Sequence, residues 1–120
     1  MTYKPKGRST VIPRIITDDV DGLVRFIREV FGAKGDVQSG QPTELTIDDS
    51  TLMVSDGGGV RRAQGAFLYV YVPDADAAFA RAVKAGARTV ETLEDMPWGD
   101  RRATVEDRWG NTWQIATRLP

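Results

Sequence analysis

The 120-residue sequence predicts an α+β fold in which two βαβββ modules pair into one curved, partly open barrel-like sheet with the helices outside. Three observations favour this fold. Strand and helix patterns follow the same order twice, once in each half of the chain. A shift of 55 places Asp19 on Asp74, and a shift of 61 lays residues 112–115 over residues 51–54. Neither half can bury a core alone, so residues 1–120 are expected to form a single domain.

The first module is expected over residues 10–55. It opens with a strand at residues 10–17, in which Pro13 indicates an edge position or a bulge. Asp18 and Asp19 can cap a helix from about residue 20 to residue 31, and Gly32 ends it. The apolar face of this helix comprises Val20, Leu23, Val24, Ile27, Val30 and Phe31. The remaining strands are expected at residues 36–37 (a weak pattern), 44–47 and 51–54.

Residues 56–65 are expected to link the modules as a mobile, glycine-rich loop. The three consecutive glycines at 57–59 do not match a phosphate-binding loop, because no Lys-Ser or Lys-Thr follows them. We interpret this segment as a hinge.

The second module is expected over residues 66–118. Its first strand is followed by Pro73, and Asp74 or Asp76 can cap a helix at about residues 75–85, which Gly86 ends. The inner face of this helix comprises Ala78, Phe79, Ala82 and Val83. Three more strands are expected at residues 88–92, 102–106 and 112–116. Because the shift between the modules grows along the chain, the second module carries an insertion, which we place in the loop at residues 96–100.

The strand at residues 67–72 has two unlike faces. Leu68, Val70 and Val72 form an aliphatic stripe typical of a core, whereas Phe67, Tyr69 and Tyr71 form an aromatic stripe on the opposite face. Three aromatic rings on one face need a cover. Either a second layer of protein or a ligand can provide it.

Composition limits the possible functions. The formal net charge is -1, so nothing electrostatic favours binding to nucleic acid or to an anionic membrane. Cysteine and histidine are both absent, which removes thiol nucleophiles, thiolate and imidazole metal ligands and the usual general base. Neither a signal peptide nor a membrane-spanning stretch is indicated, so the expected location is the cytoplasm.

The sequence resembles the vicinal oxygen chelate superfamily of glyoxalases, extradiol dioxygenases and bleomycin-resistance proteins, and most of all its phosphonate-operon-B-like or bleomycin-resistance-like branch. The resemblance covers residues 10–118, and its most specific part is the run at residues 98–115. Arg108 and Trp109 stand where such sequences usually carry Pro-Phe before Gly-Asn. The resemblance also implies a homodimer, possibly with exchanged modules.

Metal-dependent members of this superfamily place four ligands on four strands. The corresponding positions in this chain are Ile12, Met53, Phe67 and Gln114. Three of these side chains are apolar or a thioether, and only Gln114 offers an oxygen, so this set does not suit a hard divalent ion. We expect no metal and no other cofactor.

Strand alternation defines an inner face without reference to the family. The predicted ligand-binding residues on or beside this face are Phe67, Tyr69, Tyr71, Trp98, Arg14, Met53, Arg102 and Gln114. Their aromatic and apolar character with a few polar groups is typical of a pocket for a small aromatic or amphipathic ligand. Each residue also has a structural interpretation.

The aromatic stripe can instead close a barrel or a dimer interface, and Trp98, between Pro97 and Gly99, can be a lid on the ligand or a rim residue packed on the sheet. Met53 can fill the core, and Gln114 can satisfy a backbone group. Arg14 and Arg102 can bind an anionic group, but internal ion pairs with Glu44 and Glu106 are favoured.

Two functions remain open. We favour a metal-independent binding protein that sequesters an antibiotic-like or aromatic toxic compound, which requires neither a metal nor a base and no catalytic residue. The alternative is a glyoxalase-like lyase or isomerase in which Glu44 or Glu106 is the general base and Arg102 or Tyr69 polarises an oxygen. A module that binds no ligand is a third possibility.

Overall fold

A computed structural model describes residues 3–120 of the chain and shows an α+β fold built from two βαβββ-like modules. The elements of the first module are β1 (Arg14–Thr17), α1 (Val20–Phe31), β2 (Thr43–Ile47) and β3 (Ser50–Asp56). Those of the second are β4 (Phe67–Tyr71), α2 (Ala75–Lys84), β5 (Arg88–Asp95), β6 (Asp100–Glu106) and β7 (Thr112–Arg118). The predicted fold class is confirmed.

The strands form two mixed sheets, neither of which is closed. The first has the order β1-β3-β2, and the second has the order β4-β7-β6-β5. In each sheet the strand that precedes the helix pairs in parallel with the last strand of its module, and the other pairs are antiparallel. The curved sheet expected from the sequence is therefore divided between the modules, which have matching strand orders.

Helix α1 begins and ends where its sequence predicts. The side chain of Asp19 accepts a hydrogen bond from the backbone N–H of Gly22 at 3.1 Å and caps the first turn. Gly32 follows the last turn with φ +66°, a left-handed conformation that glycine adopts without steric cost. The buried residues of the helix are Leu23, Val24, Phe26, Ile27 and Val30. Val20 and Phe31 are partly buried against the same core.

Helix α2 is capped by Asp74, whose side chain accepts a hydrogen bond from the N–H of Ala77 at 3.1 Å. Ala75, Ala78 and Ala82 are buried, and Phe79 packs partly against them. Val83, which the sequence pattern placed on the inner face, is exposed instead. The buried face of this helix is a narrow stripe of alanines, and Val83 lies outside it.

The two modules share one hydrophobic core. The ring of Trp113 on β7 lies 5.0 Å from that of Phe31 and 6.5 Å from that of Phe26, both on α1. Arg81 of α2 donates two hydrogen bonds to the carbonyl oxygen of Val30, at 2.9 and 3.1 Å, and so satisfies a free carbonyl near the end of α1. These contacts link the helix of the first module to the second module.

The most specific sequence run, residues 98–115, contains β6, the turn at residues 107–111 and the first half of β7. The buried carboxylate of Asp107 accepts hydrogen bonds from the backbone N–H groups of Trp109 and Asn111, from the Asn111 amide and from the indole Nε1 of Trp113 at 2.8 Å. Asn111 in turn accepts a hydrogen bond from the N–H of Ala66 at 3.0 Å, just before β4. This run therefore has a structural role.

Several strand boundaries differ from the prediction, and β5 and β7 run on to Asp95 and Arg118, beyond the predicted ends at residues 92 and 116. The weak strand at residues 36–37 is wrong, because pairing there is limited to one bridge between Lys34 and Thr46 and Val37 is exposed. Strand β1 begins only after Pro13 and lies at a sheet edge, as a strand that follows a proline can. Strand β6 begins at Asp100, two residues earlier than expected.

Across residues 3–120, neither helix is long and apolar enough to cross a membrane. The hinge role assigned to the glycines at 57–59 stays a prediction. In the structure this segment contains a turn in which Gly58 and Arg61 exchange two backbone hydrogen bonds of 2.7 and 2.9 Å.

Candidate functional site

The aromatic stripe of β4 lies on the face of the second sheet that points away from the shared core. Its exposed fractions are 68% for Phe67, 39% for Tyr69 and 59% for Tyr71. Leu68 and Val70 pack partly against the core on the other side. The alternation predicted for this strand is thus present, and the rings have no complete cover within the chain.

A single buried carboxylate organises these rings. Asp100, at the start of β6, has no exposed surface, and its Oδ2 accepts hydrogen bonds from the hydroxyl of Tyr69 at 2.6 Å and from that of Tyr71 at 2.8 Å. The indole Nε1 of Trp98 donates to the same oxygen at 3.2 Å, and Arg118 donates to Oδ1 at 3.4 Å. Three aromatic side chains, two from β4 and one from the β5–β6 turn, are therefore fixed by one group.

The electrostatics of this cluster follow from those bonds. The hydrogen bond from Tyr69, followed by that from Tyr71, holds the pKa of Asp100 below its ordinary value. Burial raises the pKa of Tyr69, and its bond to Asp100 raises it further. The pKa of Tyr71 is raised first by its bond to Asp100 and then by burial. At neutral pH the carboxylate is charged and both tyrosines are neutral donors.

Trp98 lies in the β5–β6 turn and is half exposed. Its backbone carbonyl accepts a hydrogen bond from Arg118 at 2.6 Å, and its indole lies over the guanidinium of Arg102, with 5.3 Å from Cζ to the ring centroid. Gly99 has φ +96°, and a Cβ there would come within 2.9 Å of Arg118. Glycine at this position lets the turn bring Trp98 and Asp100 together.

The predicted polar residues of this sheet lie in a row beside the rings. Arg102 donates to Glu91 at 3.2 Å, and Thr104 donates to the same carboxylate at 2.6 Å. Gln114 donates to Thr104 at 3.4 Å and stands opposite Tyr69 in the strand register. The structure therefore brings together six of the eight predicted residues on the second module: Phe67, Tyr69, Tyr71, Trp98, Arg102 and Gln114.

The other two predicted residues lie on the first sheet. Arg14 and Met53 are register partners on β1 and β3, and Arg14 donates to the hydroxyl of Ser55 at 2.9 Å. Arg14 lines a groove of about 590 Å³, whereas Tyr69 and Tyr71 line a different groove of about 550 Å³. Within a single chain, Arg14 and the two tyrosines therefore line separate grooves.

The expected ion pairs form with other partners. Glu44 pairs with Arg8 of the N-terminal arm, and Glu106 pairs with Arg88 at 3.1 Å. Arg14 bonds a hydroxyl and Arg102 bonds Glu91. The predicted pairs of Arg14 and Arg102 with Glu44 and Glu106 are wrong, because neighbouring strands and the arm supply nearer partners.

Sequence reasoning missed Asp100, Arg118 and Glu91. A signal for Asp100 was present, since alternation from the inward residues Arg102 and Thr104 gives position 100 the same face. The prediction assigned residues 96–100 to a loop and so stopped the alternation two residues early. Glu91 belongs to a strand with bulges, where the alternation shifts.

The four positions that correspond to family metal ligands do not fit a metal ion. Among the described residues, no group of three or more histidine, cysteine, aspartate or glutamate side chains is arranged to hold one. Ile12, Met53 and Phe67 offer no hard donor, so the amide oxygen of Gln114 is the single hard donor among the four positions, too few for a divalent ion.

Comparisons with known proteins agree with this architecture. The family model of the Glyoxalase/Bleomycin resistance protein/Dioxygenase superfamily matches residues 10–115. The uncharacterized protein Mb0911c of Mycobacterium bovis is 30% identical over 123 residues, which cover 86% of this chain and 79% of that protein. Rv0887c of Mycobacterium tuberculosis, also uncharacterized, is 30% identical as well, with 71% of its length covered.

Solved structures show the same fold. TioX from Micromonospora sp. ML1 is 26% identical, with a TM-score of 0.78 and coverage of 92% of this chain and 99% of that one. The fosfomycin resistance protein FosX from Mesorhizobium loti has a TM-score of 0.69 at 17% identity, with 91% of both chains covered, which shows a shared fold alone. From the match over residues 10–115 and the paired βαβββ-like modules, the chain belongs to the glyoxalase/bleomycin resistance protein/dioxygenase superfamily.

Proposed function

We propose that this chain is a metal-independent binding protein that sequesters a flat aromatic or amphipathic small molecule, of the antibiotic-like or toxic kind, against the open face of the second sheet. The observation that carries the proposal is the Asp100 cluster. One buried carboxylate takes the polar hydrogens of Tyr69, Tyr71 and Trp98, and the ring surfaces remain exposed.

This arrangement suits a stacked ligand for an energetic reason. Ordering a free aromatic side chain on binding costs conformational entropy, which lowers affinity. Here the hydrogen bonds to Asp100 order the rings before a ligand arrives, and the edge contact of Tyr69 with Tyr71, with 5.5 Å between centroids, adds to that order. Each ring that stacks on a flat ligand contributes on the order of 1 kcal/mol beyond burial.

The enzymatic alternative finds less support in the same geometry. Glu44 and Glu106, its candidate bases, are each engaged by an arginine, Arg8 and Arg88 respectively. Tyr69, one of the two groups assigned to polarise a substrate oxygen, already donates its hydroxyl hydrogen bond to Asp100 at 2.6 Å. We rank binding first for these reasons.

A second copy of the chain belongs to the proposal. The exposed stripe and the location of Arg14 and Met53 on a different sheet suit a cleft that the facing sheet of another copy completes, with or without exchanged modules. Sedimentation velocity tests this part. A monomer at micromolar concentration would rule it out while leaving single-chain binding to be measured.

Tryptophan fluorescence titration with planar polycyclic compounds tests the binding itself. The chain has three tryptophans, and Trp98 is half exposed whereas Trp113 is buried, so we expect Trp98 to report quenching. Replacing Trp98 with phenylalanine should remove most of the signal change and preserve binding measured by dialysis. The double variant Tyr69→Ala, Trp98→Ala should weaken binding about tenfold or more, from two stacking contacts.

Tyr3→Ala is the matched control, because Tyr3 is an exposed aromatic residue away from the sheet elements. Its affinity should equal that of the unmodified chain. Equal affinity in the double variant as well would contradict the site. Metal analysis of the same sample provides a second check, since a stoichiometric divalent ion would return the enzymatic alternative to first place.

A further inference from the structure

Arg102 contains a buried donor that the protein leaves unused. Its side chain is 13% exposed, and its Nε is buried without a hydrogen-bond partner among residues 3–120. A buried N–H without an acceptor costs free energy comparable to a lost hydrogen bond, so such groups are rare in folded proteins. The position of this one, between β6 and the indole of Trp98, lies inside the aromatic cluster of the second sheet.

The charge of Arg102 is already balanced. Its terminal nitrogen pairs with Glu91 at 3.2 Å, and Glu94 stands opposite it in the β5–β6 register. The neighbouring cation, Arg118, faces Asp100. An anionic group brought to Arg102 would therefore meet two carboxylates, whereas a neutral acceptor would meet one free N–H.

The groups that border this donor are flat or small. Arg102 pairs in register with Ala116, which in turn pairs with Tyr71, so only a methyl group separates the guanidinium from the tyrosine ring along that row. Trp98 lies over the other side of the guanidinium. Because Nε is buried, a ligand reaches it when Trp98 turns aside and stacks on the ligand. Trp98 has the longest of the three aromatic hydrogen bonds to Asp100, 3.2 Å against 2.6 and 2.8 Å for Tyr69 and Tyr71, so the two tyrosines stay in place when it moves.

We infer that the ligand carries a neutral carbonyl oxygen on its aromatic system and that the Nε–H of Arg102 donates a hydrogen bond to it. This inference rests on the proposed function, because it names the chemical class of ligand for the same site. It makes Arg102 the residue that selects among flat molecules, while Tyr69, Tyr71 and Trp98 hold any of them by stacking.

Equilibrium dialysis against a matched pair of tricyclic compounds tests this selection. 9-Fluorenone and fluorene differ at one position, where a carbonyl replaces a methylene. The unmodified protein should bind fluorenone about tenfold more tightly, the effect expected of one hydrogen bond to a charged donor. Fluorenone-1-carboxylate, whose charge lies beside the carbonyl, should bind more weakly than fluorenone, because its charge meets Glu91 and Glu94 next to Arg102.

Arg102→Lys retains the positive charge and removes the Nε donor. In this variant the preference for fluorenone, measured as the ratio of the affinities for fluorenone and fluorene, should disappear. Arg88→Lys is the control, since Arg88 lies on the neighbouring strand in an ion pair with Glu106 and outside the cluster. It should retain the full preference. Circular dichroism confirms that both variants are folded.

The outcomes separate the two proposals. Equal binding of fluorenone and fluorene by the unmodified protein would refute the carbonyl inference and leave the binding function in place. Tighter binding of the carboxylate would also refute it, in favour of an anion site. Binding of none of the three compounds would remove the aromatic-ligand function and this inference with it.

Discussion

Replacing Asp107 with alanine should destabilise the chain more than any other change to a single turn residue. Its carboxylate is the acceptor for two buried side-chain donors, Asn111 Nδ2 at 2.9 Å and Trp113 Nε1 at 2.8 Å. Trp113 has no exposed surface and Asn111 only 1%. Each donor left without a partner costs about 1–3 kcal/mol, so we expect a loss of about 4 kcal/mol from the two together.

Urea unfolding followed by fluorescence and by far-ultraviolet circular dichroism measures this loss. A change in the midpoint at constant slope reports stability alone. Asp49→Ala is the matched control, because Asp49 occupies the corresponding hairpin turn of the first module and makes only an exposed bond to Ser50. It should change stability by less than about 0.5 kcal/mol. A midpoint for Asp107→Ala equal to that of the control would refute the structural role assigned to this turn.

Two further predictions concern a helix start and the aromatic cluster. Gly22→Ala should lower stability by about 1 kcal/mol, although alanine favours helix. The new Cβ would lie 2.3 Å from the Asp19 carboxylate and 2.8 Å from the Trp109 ring, and it would therefore disturb the helix cap. An increased urea midpoint would contradict this prediction. The pKa of Asp100 is lower in the folded chain than in the unfolded chain. Its contribution to stability is therefore fully present above the unfolded-state pKa of about 4 and is lost as the pH falls through the pKa of the folded state. Tyr69 has a raised pKa, so its contribution is lost above about pH 10. The free energy of unfolding, measured from pH 2 to pH 11, should therefore fall at both ends of the range. Asp100→Asn should make both falls smaller. If the pH dependence of stability were unchanged in this variant, the electrostatic role assigned to the Asp100 cluster would be wrong.

The helices could be predicted closely because their signals are local. Asp19 and Gly32 lie where an N-cap and a left-handed C-terminal residue must lie, and both act as expected in the structure. The repeat predicted two modules with the same order of elements, and the two sheets of the structure have matching strand orders. Local chemistry and repetition therefore account for most of the fold.

The partners of the charged residues could not be predicted in the same way. Glu44 bonds Arg8, which is 36 residues away in an arm with no regular pattern, and Arg102 bonds Glu91 across a bulged strand. Alternation assigns a side chain to a face, but it does not fix the neighbours of a long side chain on that face. Arg14 and Arg102 were placed on the correct faces with the wrong partners.

Part of the candidate site lies where the second module is longer than the first. Asp74 lies 55 residues after Asp19, but Thr112 lies 61 residues after Thr51, so the second module has six additional residues between its helix start and its last strand. In the structure this region contains β5 and the turn with Trp98, where the first module has only the bridge at Lys34. Glu91, Trp98 and Asp100 all lie in or directly beside that region. The two modules thus share a topology, but the longer connection before β6 supplies the groups that order the aromatic rings, which explains why the cluster occurs on one sheet only.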